Sequence, residues 1–177
     1  MTSIKEKEKR INMNRKNEPS TPSPGVIRVL WVCWGNICRS PIGEYVLKDM
    51  VKKMGLEDQY YIESAATSTE EIGNPVYPPA RAELRKHGIS CEGHRARQVR
   101  PTDYEKFDII VAMEDIHVKI MKDRFFGGDP EHKIHLCMDF AGKPGMPVDD
   151  PWYTGRFEEV YGQIYEACKG IIDFSKK

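Results

Sequence analysis

The chain has 177 residues, with 27 lysines and arginines against 27 aspartates and glutamates. That length suits one domain with a substantial core, and the balanced charge gives no footing for nucleic-acid or membrane-surface binding. No apolar run approaches the roughly 20 residues that span a bilayer. Five scattered cysteines, an odd number, fit a reducing compartment better than a disulfide framework. The expected address is therefore the cytoplasm.

Residues 1–25 differ from the rest. They carry six basic and three acidic side chains and end in Pro19-Ser20-Thr21-Pro22-Ser23-Pro24-Gly25, with almost nothing to bury. Such a segment cannot offset its ordering entropy, so a flexible tail is expected. It has no apolar core of the signal-peptide kind, and Glu6, Glu8 and Glu18 argue against a transit peptide.

From residue 26 strand-like and helix-like patterns alternate. The run Val26-Ile27-Arg28-Val29-Leu30-Trp31-Val32 predicts a first strand. A loop follows, Cys33-Trp34-Gly35-Asn36-Ile37-Cys38-Arg39-Ser40, then a helix over 41–54 striped by Ile42, Val46, Met50 and Met54. Further strands are predicted at 60–63, 107–112 and 133–138, and further helices at 79–86, 115–125 and 155–174. Ile109-Ile110-Val111-Ala112 is continuously apolar, as a strand buried on both faces requires. In the last helix Val160, Ile164, Cys168 and Ile171 recur at helical spacing. Alternation of this kind implies right-handed crossovers and an α/β fold, a parallel sheet covered on both faces. Ligands in such sheets sit at the carboxyl ends of the strands, where the Cys33 loop emerges.

The loop has the parts of an anion site. Ser40 as helix cap, with Pro41 at the first helical position, would aim backbone N–H groups and the helix dipole at one small volume. The Ser40 hydroxyl is also placed to donate to the Cys33 sulfur when that sulfur leaves. Gly35 would let the loop take backbone angles that a Cβ opposes. A thiol has a pKa of about 8.5, and a helix N-terminus or a nearby cation lowers it. Cys33 would feel both, which predicts a thiolate at rest. Arg39 offers a planar fork for two phosphate oxygens, which a lysine cannot reproduce. Thiolate and guanidinium around a phosphate cradle are equipment for nucleophilic attack on phosphorus. Metal binding is not expected, since Cys33 and Cys38 lack a second Cys/His pair to complete a zinc set.

The segment Val32 to Pro41 closely resembles the signature loop of the low-molecular-weight protein tyrosine phosphatases. The resemblance extends over roughly 26–175 through Ser64-Ala65-Ala66-Thr67, His87-Gly88-Ile89, His94-Arg95-Ala96-Arg97-Gln98-Val99, Phe107-Asp108 and Asp150-Pro151-Trp152-Tyr153. It implies a four-stranded, doubly wound parallel sheet of flavodoxin-like order, spanning a catalytic domain at 26–177. It also implies Cys33 as nucleophile, Arg39 as phosphate ligand and Asp150 as general acid. Trp34, Gly35, Asn36, Ile37, Cys38 and Ser40 would form the phosphate loop, with Ser64 and His94 as support. Pro151 restricts Asp150 to an extended backbone; Asp149 beside it is expected to be solvated. Trp34, Glu70, Trp152 and Tyr153 are expected around the substrate crevice. Two departures stand out: many members carry leucine or threonine at position 34, and an aromatic wall where Glu70 stands. Paired tyrosines often follow the Asp-Pro; here only Tyr153 remains as a phosphorylation site.

The expected reaction is hydrolysis of protein phosphotyrosine without a cofactor, by a monomer with at most weak self-association. Arsenate reduction on the same fold needs two further thiols. The stretch Met113-Glu114-Asp115-Ile116-His117, after the third strand, offers none. Arginine phosphatases tend to carry threonine where Ile37 stands. A non-catalytic phosphate-binding module would not need Cys33, Arg39 and Asp150 together. Cys33 and Cys38 bracket one turn, which predicts that peroxide-oxidised Cys33 is trapped by Cys38.

Overall fold

The computed structural model describes residues 25–176. Apart from Gly25, the tail expected at 1–25 lies outside the described residues. Strands β1 (Ile27–Cys33), β2 (Tyr60–Ala66), β3 (Ile109–Ala112) and β4 (Ile134–Leu136) form one sheet in the order β2-β1-β3-β4. All three pairings are parallel, with Trp31 opposite Ser64 on one side and Val111 on the other. This is the doubly wound arrangement that the alternation predicts.

The pleat of β1 divides the core in two. Val29, Trp31 and Cys33 face helices α1 (Arg39–Lys53), α2 (Pro78–Lys86) and α6 (Phe157–Ser175). Leu30 and Val32 face the other side, where Tyr104 and Phe107, from and beside the short helix α3 (Asp103–Lys106), and Met121 close the second core. Successive side chains of a strand point to opposite faces, so one apolar run serves both layers. At Gly43 α1 lies directly against the Trp31 ring of β1. A Cβ there would lie 2.3 Å from the indole atoms Cδ2 and Cε3 of Trp31.

Several boundaries differ from the sequence reading. The first helix begins at Arg39, its cap position is Cys38, and no side chain caps it. Ser40 is thus inside the first turn and Pro41 is third, so the expected Ser40 cap is absent. The hydroxyl of Ser40 is turned toward Cys33 instead. Helix α4 (Asp115–Ile120) passes into a π-helical turn over Met121–Phe126, which ends at Gly127 with φ 68°. The fourth strand stops at Leu136 because Cys137–Ala141 tightens into a 3-10 turn. Helix α5 (Pro151–Thr154) precedes the last helix. Among the described residues no helix is long and apolar enough to cross a membrane.

Candidate active site

The Cys33 loop leaves the carboxyl end of β1 at the centre of the sheet, flanked by β2 and β3. This is the position at which doubly wound sheets bind ligands. Cys33 Sγ accepts the backbone N–H of Asn36 at 3.3 Å and lies 3.0 Å from Ser40 Oγ. The residue in the left-handed region is Asn36, with φ 60°, whereas Gly35 is not left-handed. The expected role of Gly35 therefore falls to Asn36. A Cβ at Gly35 would meet Glu71 Cγ at 3.3 Å, so the demand there is for space.

A side chain at positive φ is uncommon and needs support. Asn36 is fully buried, and every polar atom of its amide is engaged. Nδ2 donates to Ser40 Oγ at 2.8 Å and to Ser64 Oγ at 2.9 Å, while Oδ1 accepts the N–H of Arg97 at 3.1 Å. His94 Nε2 is 2.8 Å from the Asn36 carbonyl. A carbonyl only accepts, so this bond places the proton on Nε2. Burial pushes the His94 pKa down, against the Asn36 carbonyl and Glu44, which push it up. Glu44 was not anticipated: its Oε1 accepts the Ser64 hydroxyl at 2.6 Å and its other oxygen pairs with Lys48. Its spacing from Ser40 on one helix face was the available signal.

Arg39 is buried and approached from three directions. Its Nη1 donates to Glu114 Oε2 and to the Val148 carbonyl, each at 2.7 Å. Its Nη2 lies 3.5 Å from Asp150 Oδ2. Burial opposes its charge, but Cys33, the Glu114 hydrogen bond and Asp150 outweigh that and raise its pKa above the ordinary value. Glu114 was also missed. It follows the apolar third strand at the sheet's carboxyl edge, which the same ligand-site rule would have marked. Val148 anchors the late loop: it is buried, its N–H donates to Met113 O at 2.9 Å, and its carbonyl holds Arg39. Asp150, two residues on, has an extended backbone and accepts the N–H of Trp152 at 3.0 Å as the cap of α5. Asp149 is exposed, as expected.

A cavity of about 170 Å³ opens over the loop. Cys33, Cys38, Arg39, Asp150, Trp34, Glu70, Trp152 and Tyr153 line it, together with Gly35, Ile37 and Glu71. Of the anticipated residues, Ser40, Asn36, Ser64 and His94 stand behind this surface. Cys38 packs with Ile37 and Ala96 beneath the loop, and burial, then Cys33 and Asp150, push its thiol pKa up.

A family model described as low molecular weight phosphotyrosine protein phosphatase matches residues 28–177. The chain belongs to that family. A low molecular weight phosphotyrosine protein phosphatase from Gallus gallus is 38% identical over 148 residues, covering 82% of this chain and 93% of the relative. The low molecular weight protein-tyrosine-phosphatase YfkJ of Bacillus subtilis is 37% identical over 148 residues, with 83% and 94% covered. The crystal structure of YfkJ matches this fold with a TM-score of 0.81 at 36% identity, over 85% of this chain and 95% of YfkJ. Wzb of Vibrio vulnificus, solved in complex with benzylphosphonate, matches with a TM-score of 0.72 at 26% identity, over 86% and 99% of the two chains. This low molecular weight protein tyrosine phosphatase is thus a phosphoric monoester hydrolase, with the β2-β1-β3-β4 sheet of its family holding the Cys33 loop.

Proposed function

We propose that this phosphatase hydrolyses phosphotyrosine and other aryl phosphate monoesters in two steps at Cys33. In the first, the Cys33 thiolate attacks phosphorus while the bond to the phenolic oxygen breaks. Asp150, as the carboxylic acid, gives its proton to the departing phenolate. In the second, water attacks the cysteinyl phosphate, Asp150 takes a proton from it, and the sulfur leaves as thiolate with inorganic phosphate as product. Ser40 Oγ, 3.0 Å from the sulfur, stabilises the thiolate each time it is free. Both hydrogen bonds of Arg39 fall on Nη1, so its Nη2 side is the edge offered to the phosphate oxygens.

The observation that carries this reading is that Cys33, Arg39 and Asp150 line one cavity, with guanidinium and carboxylate 3.5 Å apart. Aromatic residues at its mouth suit a phenyl ring, and the Vibrio relative binds benzylphosphonate, an aryl-bearing phosphate mimic. The test is turnover of phenyl phosphate and of matched phosphotyrosine and phosphoserine peptides, in chelator. Activity confined to the aryl esters and absent from Cys33→Ser is expected. Equal turnover of the phosphoserine peptides would refute the substrate class.

Arsenate reduction is disfavoured by the cysteines. Cys137 and Cys168 are fully buried in the core, and Cys91 borders a separate cavity with Arg81 and Arg85, so no third thiol joins Cys33 and Cys38 in the site cavity to complete the relay. Redox control belongs to the proposal. Peroxide would oxidise Cys33 to the sulfenic acid, and Cys38 would displace the hydroxyl as water, leaving a Cys33–Cys38 disulfide. The five free cysteines support a cytoplasmic, reducing address, and the working state is proposed as a monomer acting on phosphotyrosine-containing proteins.

A further inference from the structure

Two indoles flank the entrance to Cys33, and each is held by a different device. Trp152 packs against the ring of Tyr77, with centroids 4.6 Å apart. Trp34 is 40% exposed, at the second position of the loop. Its Nε1–H donates to Glu70 Oε2 at 2.9 Å. The two partners are also tied through the backbone, because Ser68 N and Ser68 Oγ both donate to the Trp34 carbonyl, at 3.0 and 2.9 Å. A single exposed hydrogen bond is weak in water. Here the chain on both sides is already fixed, so little further entropy opposes it, and an anionic acceptor strengthens it.

We propose that Glu70 is a positioning residue: it holds the Trp34 indole in place as a wall of the cavity, and so sets the preference for aryl over alkyl phosphate monoesters. The proposal rests on the placement of the phosphate site at Cys33. A side chain left to rotate must be ordered by each incoming ring, and that ordering subtracts from affinity. A pre-positioned indole gives an arriving phenyl ring its stacking partner without that loss. An aromatic contact of this kind changes affinity by about three- to tenfold. The wall touches the ester group in ground and transition states alike, so its loss raises KM and leaves kcat nearly unchanged.

Inhibition constants for phenylphosphonate, methylphosphonate and inorganic phosphate, with KM and kcat for phenyl phosphate, test this. Glu70→Ala should weaken phenylphosphonate and raise the phenyl phosphate KM by about three- to tenfold, with much smaller effects on the two non-aryl ligands. Glu70→Gln retains an acceptor oxygen and should restore aryl binding. Trp34→Phe keeps a ring but loses the N–H and should resemble Glu70→Ala, with no further loss in the double variant. Unchanged aryl selectivity in Glu70→Ala, a Gln variant as impaired as Ala, or additive losses in the double variant would each overturn the role of Glu70 and leave the phosphatase reading intact. Hydrolysis of phenyl phosphate by Cys33→Ser would overturn the placement of the site, and this inference with it.

Discussion

His117 makes the stability of this phosphatase depend on pH in a way that can be isolated. It is fully buried beside Arg39, its Nδ1 has no hydrogen-bond partner, and its Nε2 is 3.9 Å from Glu114 Oε2. The carboxylate favours a charged ring, but burial and then Arg39 prevail and push the His117 pKa down to about 3. In the unfolded chain the same group titrates near 6.5. Below about pH 6.5 the unfolded state therefore takes up a proton that the folded state refuses until about pH 3. Stability fully present above the unfolded pKa is lost as pH falls toward the folded one, at about 1.4 kcal/mol per pH unit. By about pH 4.5 the loss is about 3 kcal/mol, a large part of the roughly 5–15 kcal/mol that holds a domain folded. Other groups titrate in the same range, so the informative quantity is a difference. Urea unfolding of wild type and His117→Leu across pH should give a stability difference that is flat above about pH 6.5 and shifts against wild type by about 1.4 kcal/mol per unit below it. A difference that stays constant across the range would refute a neutral, buried His117.

Asp150→Asn should slow esters with poor leaving groups by about 10²–10⁴ in single-turnover phosphorylation of Cys33, and aryl esters that need no proton much less. Equal losses for both would remove Asp150 from the acid role and make Asp149→Asn the next variant to examine. Gly43→Ala should lower the unfolding free energy by about 1–3 kcal/mol by urea denaturation, because its Cβ would fall 2.3 Å from the Trp31 ring. That strain outweighs the helix-propensity gain of about 1 kcal/mol. An unchanged midpoint would mean that α1 and β1 have room to part. Wild type inactivated by peroxide should recover in dithiothreitol and carry a Cys33–Cys38 link by mass spectrometry, while Cys38→Ser should proceed to irreversible oxidation. Equal recovery of both, without the link, would leave Cys38 as a packing residue.

The fold was legible where burial on two faces writes an unbroken apolar run, as at 29–32 and 109–112, and where a helix repeats its stripe, as at Val160, Ile164, Cys168 and Ile171. Met54, at the end of the first stripe, is instead exposed. Helix ends were less legible, because Ser40 looks like a cap in sequence yet spends its hydroxyl at Cys33. Most of the cavity-lining residues could be read from the Cys33 loop and the stretch from Asp150 to Tyr153, but Glu71 belongs to neither and was not anticipated. Of the site's bracing, Asn36, Ser64 and His94 follow from the family resemblance, whereas Glu44, Glu114 and the Val148 carbonyl do not, because they act through partners 20, 75 and 109 residues away in the chain. Likewise no local pattern says that Trp34 and Glu70, 36 residues apart, meet across the cavity mouth.

If Cys33 carries the phosphoryl group, the phosphorylated enzyme can be trapped. Wild type and Cys33→Ser, mixed with phenyl phosphate and quenched in acid within the first turnover, would be digested and mapped by mass spectrometry. One added phosphoryl group is expected on the peptide bearing Cys33 in wild type, formed in step with phenol release, and none in Cys33→Ser. Full phenol release with no phosphorylated Cys33, or a phosphoryl group on another residue, would contradict that role of Cys33.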